Sequence, residues 1–110
     1  MTEGDTRRFF IAARIRAYGA KTLKEFLLMQ REYTLKGLVD KIECPTLVCD
    51  NAADAIAGGQ AKRLYDALGC PKDYVRFTAE EGADGHCEGG AQVPFHRVAY
   101  DWLDKSLATS

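Results

Sequence analysis

Serine is scarce in this chain: two occur in 110 residues, Ser106 and Ser110, both within the last five. Neither stands in a Gly-x-Ser-x-Gly segment, the sharp strand-to-helix turn that lifts a hydroxyl to the top of a sheet, so neither is placed as a nucleophile of that kind. A Cys-x-x-Cys knuckle is also lacking. Cys44, Cys49, Cys70 and Cys87 are spaced by five, twenty-one and seventeen residues, which argues against a structural zinc site and leaves all four to be read as free thiols. Nor is there an excess of charge of either sign. Fifteen basic residues stand against sixteen acidic ones, for a net charge of -1, and this excludes the one-signed field that draws nucleic acid or anionic lipid. No apolar run approaches the roughly 18 residues of a membrane span, and the opening Met-Thr-Glu-Gly-Asp-Thr-Arg-Arg has no apolar stretch of the kind a secretory signal needs. The composition, 46% apolar, points to one domain at most, located in the cytoplasm, with no cofactor, metal, nucleic-acid or membrane partner.

What is present alternates in pattern along the chain. From Arg7 to Tyr18 the positions Phe9, Phe10, Ala13, Ile15 and Ala17 form a loose amphipathic helix that Gly19 stops. Thr22 followed by Glu25 is a capping-box pattern that opens a second helix, with Phe26, Leu27, Met29 and Tyr33 as its apolar surface. Leu35, Leu38, Val39 and Ile42 predict a third short helix from Leu35 to Ile42, ended by Cys44-Pro45. Thr46 to Cys49 is then rich enough in strand formers to be a buried parallel strand. Ala61, Leu64, Tyr65 and Leu68 line one face of a helix that Gly69 ends, and Tyr74 to Phe77 reads as a second strand. The segment Glu80 to Gly90, glycine-rich and acidic around His86, predicts a mobile, solvated loop rather than packing material. A last helix offers Phe95, Val98, Ala99, Trp102, Leu103 and Leu107 on one face, with Trp102 in the core and Pro94 in the first turn, where its missing N–H costs little.

Strands alternating with amphipathic helices imply parallel pairing through a right-handed crossover, so the predicted class is α/β. Two parallel strands leave an edge of unpaired N–H and C=O groups and a poorly covered apolar face. More sheet is therefore expected from outside the chain: missing chain, a partner subunit, or an exchanged copy in a homo-oligomer.

Several segments carry a resemblance. Glu43-Cys-Pro-Thr-Leu-Val-Cys-Asp-Asn-Ala-Ala-Asp54 resembles the Pro-x-Leu-Val strand and Asp loop of α/β-hydrolases, in which the triad acid falls about nine residues after the proline. Gly59 to Leu68 is similar to the helix that follows, Tyr74 to Thr78 to the last strand, and Gly85-His86-Cys87-Glu88 to the histidine loop. Phe77-Thr-Ala-Glu-Glu-Gly-Ala together with Gly-His-Cys-Glu resembles the ending of prolyl-oligopeptidase-like and acylaminoacyl-peptidase-like hydrolases, including pseudooxynicotine-hydrolase-like enzymes, and Asp101-Trp-Leu-Asp104 their final helix. The resemblance covers Glu43 to Leu107; residues before Tyr33 resemble only part of a helical cap. It implies residues 1–42 as a helical cap-like segment and residues 43–110 as the C-terminal β-α-β-α portion of an α/β-hydrolase domain.

In such hydrolases a serine attacks a carbonyl, a histidine takes its proton, and an acid holds the imidazole in the right tautomer, in the chain order serine, acid, histidine. What the resemblance implies here is Asp54 as the acid and His86 as the general base, with the serine before residue 1. Plainer readings compete for each. Asp54 could simply cap the following helix, Asp50 is a rival acid at the strand end, and His86 could be a solvent-exposed histidine or a weak metal ligand beside Asp84 and Glu88. His96 reads as a surface or packing residue. Cys87 is set aside as a nucleophile because neighbours on one loop do not normally point at each other.

Three functions are compatible with this reading: a serine hydrolase acting on a small-molecule or peptide substrate once its nucleophile is supplied, a non-catalytic self-associating interaction module, and a metal-binding or thiol-redox protein.

Overall fold

The computed structural model describes residues 2–108; residue 1 and residues 109–110, Ser110 among them, lie outside the described residues. It divides into two compact units, a helical one up to Lys36 and a sheet-bearing one from Gly37.

The first unit is a pair of helices, α1 (Glu3–Ala17) and α2 (Leu23–Gln30). α1 begins four residues before the apolar periodicity does, because Thr2 and Asp5 form a reciprocal capping box that satisfies N–H groups at the helix start. Gly19, at φ 69°, ends the segment in the left-handed region that glycine enters without penalty. At α2 the cap differs in one bond from its sequence signature. The Thr22 hydroxyl accepts from the Glu25 N–H at 3.1 Å, but the Glu25 carboxylate accepts from Lys21 N–H at 3.0 Å, one residue beyond the cap. Phe26 is the buried side chain of this unit, with the Tyr18 ring edge-on to it at 5.0 Å.

The second unit holds the sheet. The predicted third helix from Leu35 to Ile42 does not form; Val39–Lys41 makes a single 3-10 turn. Gly37, at φ 78°, interrupts the regular α path within that stretch. Strand β1 (Thr46–Asn51) and strand β2 (Lys72–Phe77) are parallel, with Thr46 opposite Lys72 and Asn51 opposite Phe77. Each is two residues longer than its apolar run, since Asp50 and Asn51, like Lys72 and Asp73, continue the ladder. Between them α3 (Gln60–Ala67) follows Gly59 at φ 81°. The architecture is thus mixed α/β around a two-stranded parallel sheet.

The core is small. Val48, Leu68, Phe77 and Ala83 are its buried apolar residues, and Phe77, at 1% exposure, contributes roughly 1.5–3 kcal/mol by leaving water. Helix α4 (Gln92–Ala108) places Phe95 edge-on to Phe77 at 6.0 Å. Trp102 is not a core residue. It is partly exposed and its indole N–H donates to the Asp73 carboxylate at 2.7 Å, which suits a ring with an apolar body and a polar tip. Much of the last helix's apolar face stays open, with Leu103 and Leu107 exposed.

Candidate active site

Both strands end on the same side of the sheet, as parallel strands must, and each runs into a loop bearing a residue of interest. The ladder continues past β1: Ala52 N–H donates to the Phe77 carbonyl at 2.9 Å, and Ala53 N–H donates to the Asp84 carbonyl at 2.9 Å. These two backbone bonds fasten the Asp54 loop to the segment that carries His86.

Asp54 is fixed by its own neighbourhood. Its Oδ1 accepts from the backbone N–H of Ile56 and of Ala57, each at 2.8 Å. This is the local turn that aspartate favours, so the capping reading is realised, on the turn that follows rather than on α3. The same carboxylate faces His86, whose Nδ1 lies 3.0 Å from both Oδ1 and Oδ2. The Ala57 N–H, then the His86 contact, hold the Asp54 carboxyl below its ordinary value of 3.8. It is therefore ionised at neutral pH and can only accept, which makes Nδ1 the donor; in the neutral form of the ring Nε2 then carries the lone pair. The acid side chain is 10% exposed and the imidazole 39%: one end of the ring is anchored and the other is open. An anchored, oriented imidazole with a free Nε2 can take a proton from a hydroxyl and return it. A depression of about 220 Å³ opens beside the pair, bordered by Cys49, Gln60 and Cys87 among others.

Asp50, the rival acid, is engaged elsewhere. It lies inside β1, where its Oδ1 accepts from Asn51 N–H at 2.9 Å and its Oδ2 accepts from the Tyr74 hydroxyl. Burial, followed by the bond to Asp50, pushes the Tyr74 phenol up from its ordinary value. His96 is exposed on α4, its ring against Phe95 and Tyr100 at 5.5 and 6.0 Å. Ser106 lies on regular α4 helix, not on a strand-to-helix turn. Among the described residues, Asp84, His86 and Glu88 do not gather into a set of three metal-ligating side chains. The four cysteines are separate thiols.

The loop around His86 is not the wholly solvated segment its composition predicts. Ala83 is fully buried and Glu88 is 7% exposed. The Asn51 amide donates to the Ala83 carbonyl at 2.9 Å and to Glu88 Oε1 at 3.1 Å, so the end of β1 holds the loop on both sides of the histidine. The loop's neck is tight: a Cβ on Gly90 would come within 2.5 Å of the Gly82 carbonyl oxygen. Cys87 and Glu88 both adopt left-handed backbone, at φ 54° and 55°, a conformation that costs non-glycine residues roughly 1–2 kcal/mol each. The pairing of Asn51 with Glu88 has no signal in the sequence pattern, because a buried polar pair 37 residues apart leaves no local periodicity. The left-handed pair likewise has no glycine or asparagine to announce it.

No family model matches the chain, and no solved structure matches it. Among curated proteins, the hydrolase acrC of Aspergillus aculeatus is 27% identical over 97 residues, a match covering 82% of this chain and 22% of that protein. The likeness supports a relationship to hydrolases, and the chain spans about 22% of the length of the relative it matches.

Proposed function

We propose that this chain is the acid-and-histidine portion of a serine hydrolase of the α/β-hydrolase type. Residues 43–110 then form the C-terminal β-α-β-α part, and residues 1–42 a piece of helical cap. The observation that carries the reading is the Asp54–His86 pair, at 3.0 Å, on two loops that leave adjacent parallel strands. In open α/β sheets, sites lie outside the carboxyl ends of strands. A serine contributed from outside these 110 residues attacks the carbonyl of an ester or an amide, or a carbonyl that adjoins an activated carbon–carbon bond. His86 Nε2 takes its proton and then delivers it to the leaving group, while Asp54 holds Nδ1–H and stabilises the imidazolium. The ending Glu80-Glu-Gly-Ala and Gly85-His-Cys-Glu favours the prolyl-oligopeptidase-like and pseudooxynicotine-hydrolase-like branch of such enzymes. The substrate class is a small molecule or a peptide.

The test is complementation. By itself the chain should hydrolyse p-nitrophenyl esters no faster than free imidazole and should resist a serine-directed fluorophosphonate, since a base without nucleophile or oxyanion hole keeps little of the rate enhancement. Supplied with an upstream segment bearing a Gly-x-Ser-x-Gly turn, it should yield an assembly that hydrolyses the ester and is labelled on that serine. Stoichiometric labelling of the chain alone, or a folded assembly that stays inert, would overturn the reading.

A second reading, a self-associating interaction module, rests on a different observation. Among the described residues β1 and β2 pair only with each other, and Tyr33, Val93 and Ile56 are 73%, 71% and 64% exposed. Open strand edges and apolar side chains favour pairing with another copy. Light scattering should then report a dimer or larger; a compact monomer that melts cooperatively at low micromolar concentration would sink that reading.

A further inference from the structure

The Asn51–Glu88 contact lies outside the acid-base cycle described above, yet it joins the end of β1 to the residue two positions past His86. Asn51 is 9% exposed and Glu88 7%. Burying a carboxylate is costly unless it is hydrogen-bonded, and a chain that needed only to close a loop would gain by placing an apolar side chain there. Glu88 also sits in left-handed backbone next to Cys87 in the same conformation, so the turn after His86 is held in a shape that its residue types disfavour. Strain of this kind persists only where surrounding bonds over-determine it. Backbone bonds hold part of the turn, from Ala53 N–H to the Asp84 carbonyl and from Glu88 N–H to the Gly85 carbonyl, and the Asn51 side chain adds two more: one to the Ala83 carbonyl ahead of the histidine, one to Glu88 Oε1 behind it. Burial, and then the neighbouring Glu88, raise the thiol of Cys49 on the same strand above its ordinary value.

We propose that Asn51 and Glu88 are positioning residues for His86: the two-pronged Asn51 amide clamps both shoulders of the histidine turn and thereby aims Nδ1 at Asp54. This rests on the reading of His86 as general base, but it concerns the geometry of the imidazole and is tested without any reaction. Neither residue touches the reacting atoms; both act through the turn that carries the ring. The clamp needs the amide's two N–H donors and an acceptor on residue 88, which glutamine supplies as well as glutamate.

Long-range ¹H–¹⁵N NMR of the 110-residue chain, recorded over a pH series and read where the ring is neutral, gives the tautomer of His86. In the natural sequence a single Nδ1–H form should be seen, and Asp54→Ala should abolish it, which fixes the reference for a ring that has lost its partner. Asn51→Ala and Glu88→Gly should each give the averaged signals of a free imidazole, whereas Glu88→Gln should keep the Nδ1–H form. Glycine at position 88 is chosen because it relieves the left-handed backbone, so that variant should fold even if Asn51→Ala does not, and it then decides alone. Retention of the Nδ1–H signature in folded Glu88→Gly would overturn the proposal, as would its loss in folded Glu88→Gln. Because the readout is the ring's tautomer, the clamp can fail while the complementation assay succeeds, and the reverse.

Discussion

The loops that follow β1 and β2 each deliver one member of the Asp54–His86 pair, and they do so by opposite means. The loop after β1 positions its aspartate with bonds only two and three residues away, from the N–H groups of Ile56 and Ala57. The loop after β2 holds its histidine with bonds from another strand, through the buried Asn51 amide, and with two residues in left-handed backbone. An acid that must only be oriented and ionised can be made locally, because its own turn supplies the donors. On the proposed reading, a base that must be aimed at that acid and still face outward gains from a long-range tether. The difference implies that damage to the first loop removes one function, while damage to the tether of the second also loosens the fold around it.

The largest effect should come from the histidine itself. In an assembly completed by a nucleophile-bearing segment, His86→Ala is expected to lower kcat by on the order of 10⁴-fold or more, because the members of such a set act as a unit. Steady-state ester hydrolysis checks this, with a serine-label titration to count sites. A loss below tenfold would mean that the proton is carried elsewhere.

Next in size is the tether. Asn51→Ala leaves the Ala83 carbonyl and the Glu88 carboxylate without their buried donor, and it should destabilise the sheet-bearing unit by roughly 1–3 kcal/mol. Denaturant unfolding measures it. A change within the error of the measurement would show that water replaces the amide and that the loop needs no clamp. A smaller loss is expected in the helical pair, where Thr22→Ala removes the hydroxyl that accepts from Glu25 N–H at the start of α2. That should cost about 1 kcal/mol, seen as a loss of helical ellipticity.

The difference between the loops also explains what could be read from residues alone. The strands, the helix Gln60–Ala67 and the last helix follow from apolar spacing and glycine stops, which are local signals. Asp54 and His86 were nameable because both sit in short segments of recognisable pattern, and the structure brings them within hydrogen-bond distance. The failures have a common physical cause. The helix drawn from Leu35 to Ile42 had the right apolar spacing, but that spacing took no account of Gly37 within it. Trp102 had the apolar face of a core residue, but its indole N–H found Asp73 at the partly exposed edge. Around His86, acidic and glycine-rich composition concealed a buried Ala83 and Glu88, because burial there is imposed by a side chain from a distant strand rather than by local hydrophobicity.

The weakest lever on the comparison is acid. Asp54 is held below its ordinary value of 3.8 chiefly by Ala57 N–H and then by His86. A carboxyl depressed in the folded state contributes stability that is fully present above its unfolded value and is lost as pH falls through the folded one. The Asp54 contribution should therefore be intact at neutral pH and disappear below about pH 4. Asp54→Ala should flatten the acid limb of a pH–stability curve while leaving its slope near neutrality unchanged. An unaltered acid limb would remove the ionised carboxylate from the account.

The most direct measurement of the central claim compares the two aspartates of the first loop and its strand within the completed assembly. Asp54 faces the imidazole and Asp50 is engaged with the Tyr74 hydroxyl, so kcat for ester hydrolysis should fall by about two orders of magnitude or more for Asp54→Ala and by far less for Asp50→Ala, at similar KM. If Asp50→Ala proved the more damaging, or if folded Asp54→Ala kept the full rate, Asp54 would not be the group that orients His86 and the assignment of this site would be wrong.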